Sequence, residues 1–304
     1  MPLPHRLARH VALMLLVTAC AGRVTGTPAA RSASLTDAIM ARAARTPGAV
    51  IRVIAARLDG RGPRVAINAD SLVHAASTMK VPVMIALAQA ADRGTLRLDD
   101  AVPLISEFAS IVDGSTYTLN RGDDSDDAVY ARVGERVPIR WLATRMITYS
   151  SNLATNMLLT VVRADSVTAL TRTLGTTRML VRRGVEDTPA FRAGLNNVTT
   201  ASDLAALMVA IATDRAASPS ACAWMRDVLF AQHWNDAIPV GLPPGTRIAH
   251  KTGNITAVEH DAGIVYPDGA APYVLVVLTS GVASSDEAKT LIADVTRLVH
   301  PAMR

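Results

Sequence analysis

Strand-forming sequence occurs only near the two ends of this chain. Val50 to Ala56 alternates and is β-branched, a turn follows at Gly60 to Pro63, and Arg64 to Asn68 reads as the returning strand. The pattern reappears only at Ile248 to Thr252, Glu259 to Tyr266 and Tyr273 to Thr279, with turn signals such as Pro267-Asp268-Gly269 between the runs. Between the two groups the sequence is helical. Ser77 opens an apolar segment (Met79, Val83, Met84, Leu87, Ala90) that ends at Gly94. Further helices are predicted at about 138–148, 151–163, 165–174 and 200–213. One helix from Ser34 to Arg45, stopped by Pro47-Gly48, and another from Ser285 to Val299 flank the whole. Short strands must pair to satisfy their backbones, so the ends of the chain have to meet. The expected fold is α/β of the α+β kind: an antiparallel sheet from both chain ends, flanked by helices, with an inserted all-helical domain. Residues 34–73 and 215–304 form the sheet part and 74–214 the helical part. Residues 176–199 are a long connection without periodicity, and loops of that length are usually functional.

The first residues belong to export rather than to the fold. Arg6 and Arg9 precede an apolar run, Val11 to Val17, which is too short to span a bilayer. Residues 1–19 read as a signal peptide. Val17-Thr18-Ala19-Cys20 resembles the bacterial lipobox, in which Cys20 would be lipidated. An ordinary signal peptide cut nearby is the alternative. Residues 20–33, small and polar, read as anchor and tether. The expectation is an exported, periplasmic lipoprotein attached to the membrane through Cys20, and Ala21 leans towards outer-membrane sorting. Cleavage would leave 29 basic residues against 26 acidic ones. With no basic block and few aromatics, nucleic acid is not an expected partner. The only other cysteine is Cys222, so neither a disulfide framework nor a thiolate metal site follows. The chain is expected to act as a monomer.

Of the 31 basic residues, only Lys80, Lys251 and Lys289 are lysines. Arginine stays charged in proteins, whereas a lysine can shift its pKa and act as a base. Lys80 stands three residues after Ser77 at a helix start, close enough to serve that hydroxyl. A serine hydroxyl is a poor nucleophile until a base takes its proton, and burial or a neighbouring cation can make lysine that base. A helix N-terminus adds N–H groups near a developing oxyanion. Tyr149-Ser150-Ser151-Asn152 opens another helix, where Ser and Asn also serve as caps. His250-Lys251-Thr252-Gly253 ends a strand and offers a cation, a hydroxyl and room for a substrate. Lys289 lies in the last helix with no motif around it.

The ordered set Ser-x-x-Lys, Ser-x-Asn, Lys-Thr-Gly resembles the class A β-lactamase-like serine hydrolases from about Ser34 to the C-terminus. The resemblance includes Ser150-Ser151-Asn152-Leu153-Ala154-Thr155-Asn156, Arg183-Gly184-Val185-Glu186-Asp187 and His260-Asp261-Ala262-Gly263-Ile264-Val265. It implies that Ser77 forms an acyl-enzyme, with Lys80 as base or proton relay. Ser150 would protonate the leaving nitrogen beside the positive Lys251. Asn152 would bind the substrate side chain and Thr252 its carboxylate. Gly253 would let the substrate lie along the strand edge, and the oxyanion would sit between the N–H groups of Ser77 and Asn254. Glu186, one of only five glutamates, lies in the long loop where the family's water-activating Glu is expected. The substrate implied is a β-lactam, hydrolysed without a cofactor. A peptidoglycan-like D-Ala-D-Ala peptide, an ester, or acylation without turnover are the alternatives.

Three positions depart from the family pattern. Ser151 stands where Asp is usual. Ala190 stands where an Asn co-holds the hydrolytic water, leaving Asn196 and Asn197 as possible substitutes. Ala262 stands where many relatives carry a carboxylate-binding Arg. Other residues read as ordinary surface or structure. Asp123 to Asp127 lacks the spacing of an EF-hand loop and reads as a solvated acidic turn. His233-Trp234-Asn235 reads as loop surface. His250 and His260 have no pattern of zinc ligands around them.

Overall fold

The structure is a computed structural model that describes Met1 and residues 27–304. Residues 2–26, which include most of the expected signal peptide and Cys20, lie outside the described residues. The tether expected over 20–33 gives way to helix α1 at Pro28–Ala43, six residues earlier than expected. The physical reason is a cap: Thr27 Oγ1 accepts the Ala30 N–H at 3.2 Å, and proline suits the first helical position that follows.

Strands β1 (Val50–Arg57), β2 (Val65–Ile67), β3 (Arg247–Ile255), β4 (Val258–Tyr266) and β5 (Tyr273–Ser280) form one sheet in the order β2-β1-β5-β4-β3. All pairs are antiparallel. The two chain ends meet where β1 pairs with β5, from Val50 opposite Ser280 to Arg57 opposite Tyr273. Both faces are buried, and β5 shows the period of two: Tyr273, Leu275 and Val277 enter one core, Val274, Val276 and Leu278 the other. The first core lies under α1 and the C-terminal helix Ser285–Met303, through Ile39, Leu291, Val295 and Val299. The second lies under the helical part of the chain.

Helix α2 (Lys80–Asp92) is the axis of that helical part. Val81, Val83, Met84, Ile85, Leu87 and Ala88 are all 0% exposed, so the helix is surrounded rather than amphipathic. Helices α3 (Ile139–Thr148), α4 (Asn152–Val162), α5 (Ala164–Thr173) and α6 (Ala201–Ala212) follow the predicted spans closely. Besides the short helices Asp127–Tyr130, Thr188–Arg192 and Ile238–Gly241, one longer helix was not expected: α7, Pro219–Phe230, which packs Cys222, Met225 and Leu229 into the helical core. β3 is the last strand of the sheet, so part of its backbone is free to pair with a ligand.

Candidate active site

Ser77 sits on a single 3₁₀ turn, Ala76–Met79, that feeds directly into α2. Ala76 is held at φ 46°, a left-handed conformation that costs free energy without glycine. Its N–H donates to His74 Nδ1 at 3.0 Å, and Thr78 Oγ1 donates to the Ala75 carbonyl at 2.5 Å. Strand β3 passes so close that a Cβ on Gly253 would lie 2.9 Å from the backbone nitrogens of both Ser77 and Thr78. Only glycine permits that approach. Ser150 and Glu186 also have left-handed backbones, at φ 64° and 63°. Strain of this kind gathers where a site fixes side-chain directions.

The two motif lysines converge on one hydroxyl. Lys80 Nζ donates to the Ser150 carbonyl at 2.5 Å, to Ser150 Oγ at 3.2 Å and to Asn152 Oδ1 at 2.9 Å. Lys251 Nζ donates to the same Oγ at 3.0 Å and to the Thr252 carbonyl at 2.8 Å. Both lysines are 0% exposed. Burial brings Lys80 down to about 7, against a smaller upward pull from the charges of Asp124 and Glu186. Lys251 is pushed well below the ordinary lysine range by burial and then by repulsion from Lys80. Lys80 therefore has a proton to give or take near neutrality.

Ser151, the departure from the usual motif, is 0% exposed and faces away from the opening. It caps α4: its Oγ accepts the Ala154 N–H at 3.2 Å and donates to Asp124 Oδ2 at 3.2 Å. Asp124 Oδ2 also accepts the Leu153 N–H at 2.8 Å. The carboxylate missing from position 151 is thus supplied by the acidic segment read above as a solvated turn. Its neighbour Asp126 is 2% exposed and ion-paired with Arg145. That reading is corrected, because these carboxylates anchor the start of α4 and the turn before it.

Glu186 lies on the long loop and borders the same cleft as Ser77, Ser150 and Asn152. Among the described residues it makes no ion pair with Arg182 or Arg183. The loop is held by its backbone. Val185 N–H donates to Asn156 Oδ1 at 2.6 Å, and Asn156 Nδ2 donates to the Val185 carbonyl at 3.0 Å. Asp187 is 1% exposed and accepts from Ser110 Oγ and the Ile111 N–H. Ala190 is 0% exposed and offers the site no polar side-chain atom. Neither candidate substitute replaces it. Asn197 bonds the backbone of Arg182 and Arg183, and Asn196 accepts from the Arg183 guanidinium.

The cleft has a volume of about 480 Å³. Ser77, Thr252, Asn254 and Glu186 line it, together with Trp234, expected on the loop surface, Lys289, which had no motif around it, and Asp236. Trp234 Nε1 donates to the Tyr149 carbonyl at 3.3 Å, fixing the ring as a wall. Lys289 pairs with Asp236 at 2.7 Å beside Glu259. Glu259 is buried, accepts from Ser285 Oγ at 2.8 Å, and is pushed by burial up to about 7. Ala262, by contrast, is 0% exposed and packs in the helical core beneath Lys251. Among the residues that line the cleft, the one lysine or arginine is therefore Lys289, which no motif marked. Its signal was its rarity alone. His250 and Asn235 serve the wall from behind: His250 bonds Asp261 at 2.9 Å and Asn235 at 3.2 Å.

The family model described as the Beta-lactamase enzyme family matches residues 32–303. Among solved structures, the chain is similar to PBP-A at 25% identity and a TM-score of 0.77, covering 88% of this chain and 95% of that one. A variant of PBP-A, solved as an acyl-enzyme complex with penicillin G, matches at 25% identity, a TM-score of 0.77 and coverage of 89% and 96%. The β-lactamase of Sphaerobacter thermophilus matches at 26% identity and a TM-score of 0.75, covering 89% of this chain and 97% of that one. Comparison with curated proteins finds no match. The chain belongs to the β-lactamase enzyme family, as a class A-like serine hydrolase.

Proposed function

We propose that this protein hydrolyses β-lactam amide bonds through an acyl-enzyme at Ser77, with Glu186 activating the water that releases it. One observation carries the proposal: two fully buried lysines bracket the Ser150 hydroxyl, one of them three residues from the nucleophile. A neutral Lys80 takes the Ser77 proton as its Oγ attacks the carbonyl carbon. The oxyanion is received by the backbone N–H groups of Ser77 and Asn254. On collapse the C–N bond breaks, and Ser150 gives its proton to the departing nitrogen. Lys80, in contact with Ser150 Oγ, replaces that proton, which returns the lysine to neutrality. Lys251 keeps the potential positive at the hydroxyl. In the second half, Glu186 removes a proton from water as it attacks the ester; the C–O bond to Ser77 Oγ then breaks and that proton passes to the serine oxygen, restoring the hydroxyl and the Glu186 carboxylate. Asn152 holds the substrate side chain, and Thr252 its carboxylate. The substrate is a small molecule, and no cofactor takes part.

A second reading is favoured by Ala190. Without an amide at that place the hydrolytic water loses a partner, which suits a D-Ala-D-Ala peptidase or penicillin-binding protein that deacylates slowly. Nitrocefin hydrolysis by wild type, Ser77→Ala and Glu186→Gln decides between them. Wild-type turnover, lost in both variants, supports the β-lactamase. A lasting adduct on wild type without turnover, or cleavage of a D-Ala-D-Ala peptide alone, sinks it. We further propose export by residues 1–19 and lipid attachment at Cys20. Globomycin-sensitive processing and loss of membrane association in Cys20→Ser test that.

A further inference from the structure

A second cavity lies on the other side of the Glu186 loop and shares no lining residue with the catalytic cleft. Its volume is about 430 Å³, within the range of small-molecule sites. The floor is apolar: Phe108, Ile111 and Leu159, with Tyr117 beside Phe108 at a ring separation of 6.1 Å. Arg182 and Arg183 line it as well, as do Arg163 and Asp165, whose charges are taken up by each other at 3.1 Å.

Neither Arg182 nor Arg183 has a carboxylate partner among the described residues, although the Arg183 guanidinium lies 5.8 Å from the centroid of the Phe191 ring. Arg183 is only 6% exposed, yet it forms no ion pair among the described residues. Its two outer nitrogens reach neutral acceptors, the Gly184 carbonyl at 3.0 Å and Asn196 Oδ1 at 3.1 Å. Its Nε is buried with no hydrogen-bond partner. Asp187 and Glu186 act on it only through space. A buried guanidinium left in this state is costly, and an anion bound beside it would offset the cost. Arg182 is exposed, and among the described residues its guanidinium has no partner.

We propose that this cavity is a binding site for an organic anion with an aromatic or apolar body. The rings and Leu159 would cover the body, and Arg182 and Arg183 would take the carboxylate or sulfonate. The site borders Gly184 and Asn156, the residue that holds Val185 from both sides, so an occupant would lie two residues from Glu186. Nothing in the proposal depends on the reaction assigned to Ser77.

The test is calorimetric titration of the whole protein with naphthalene-2-sulfonate, with neutral 2-naphthol and inorganic sulfate as controls. The variants are Arg182→Ala and Thr160→Trp. Thr160 is an exposed lining residue of α4, where a tryptophan is tolerated by the helix and fills the cavity. We expect one naphthalenesulfonate per chain, with each control binding at least about tenfold more weakly, the effect of losing one charge-assisted contact. Arg182→Ala should weaken binding about tenfold and Thr160→Trp should abolish it, with both variants melting as the wild type does. No binding to wild type, equal binding of inorganic sulfate, or unchanged binding by folded Thr160→Trp overturns the proposal.

Discussion

If Lys80 is the base, acylation must follow its deprotonation. Burial holds this amine near 7 rather than at the 10.5 of a free lysine, a shift equivalent to about 5 kcal/mol against the ammonium form. At pH 6 about a tenth of the molecules would carry a neutral Lys80, and at pH 8 about nine tenths. The acylation rate, read as the pre-steady-state stopped-flow burst with nitrocefin in excess, should therefore rise about tenfold per pH unit below 7 and level off above it. Asp124→Asn removes a charge that favours the ammonium, so the same limb should move to lower pH. Lys80→Arg, which cannot lose its proton, should abolish the burst. The linkage has a definite sign. The folded state gives up this proton near 7, the unfolded chain only near 10.5, so between those values the unfolded state binds more protons. This group's contribution to stability must rise with pH across that window, and the rise should become shallower in Lys80→Met, leaving the part that buried Lys251 contributes. A burst rate flat from pH 5.5 to 8.5, or an active Lys80→Arg, would refute the reasoning.

Three substitutions probe the rest of the site. Gly253→Ala places a methyl against the backbone of Ser77 and Thr78; kcat/KM should fall about a hundredfold while circular dichroism stays native. Asn156→Ala removes both bonds to Val185 and should cost about 1–3 kcal/mol in thermal or urea unfolding, with deacylation slowed more than acylation. Lys289→Met leaves Asp236 and Glu259 without their cation; KM for carboxylate-bearing β-lactams should rise roughly three- to tenfold with kcat unchanged.

The main sheet was legible because the long alternating runs lie at the chain ends, and pairing obliges those ends to meet. The insertion is not all-helical as expected, since it also holds short ribbons pairing Ala101–Pro103 with Arg136–Pro138 and Glu107–Ala109 with Thr116–Thr118, runs of three residues too short to show alternation. Ser77, Lys80, Ser150 and Lys251 were legible because order and spacing survive in the chain, and because lysine is scarce. Other parts depend on distance in space. Asp124 serves Ser151 and Leu153 across a long stretch of sequence, so its local surroundings look like any acidic turn. Lys289 reaches the cleft only because the C-terminal helix crosses beside β4. Helix α7 had readable signals, a Ser218 cap followed by Pro219, which the turn-rich flanks obscured. The left-handed backbones of Ser150 and Glu186 have no sequence signal, since neither residue is glycine.

The central claim is a covalent intermediate on Ser77 that Glu186 resolves. Intact-protein mass spectrometry after mixing with penicillin G tests it directly, followed by peptide mapping of the adduct. The account predicts one penicilloyl group on Ser77 that persists in Glu186→Gln and decays rapidly in the wild type. No adduct in either protein, or an adduct equally long-lived in both, would contradict it.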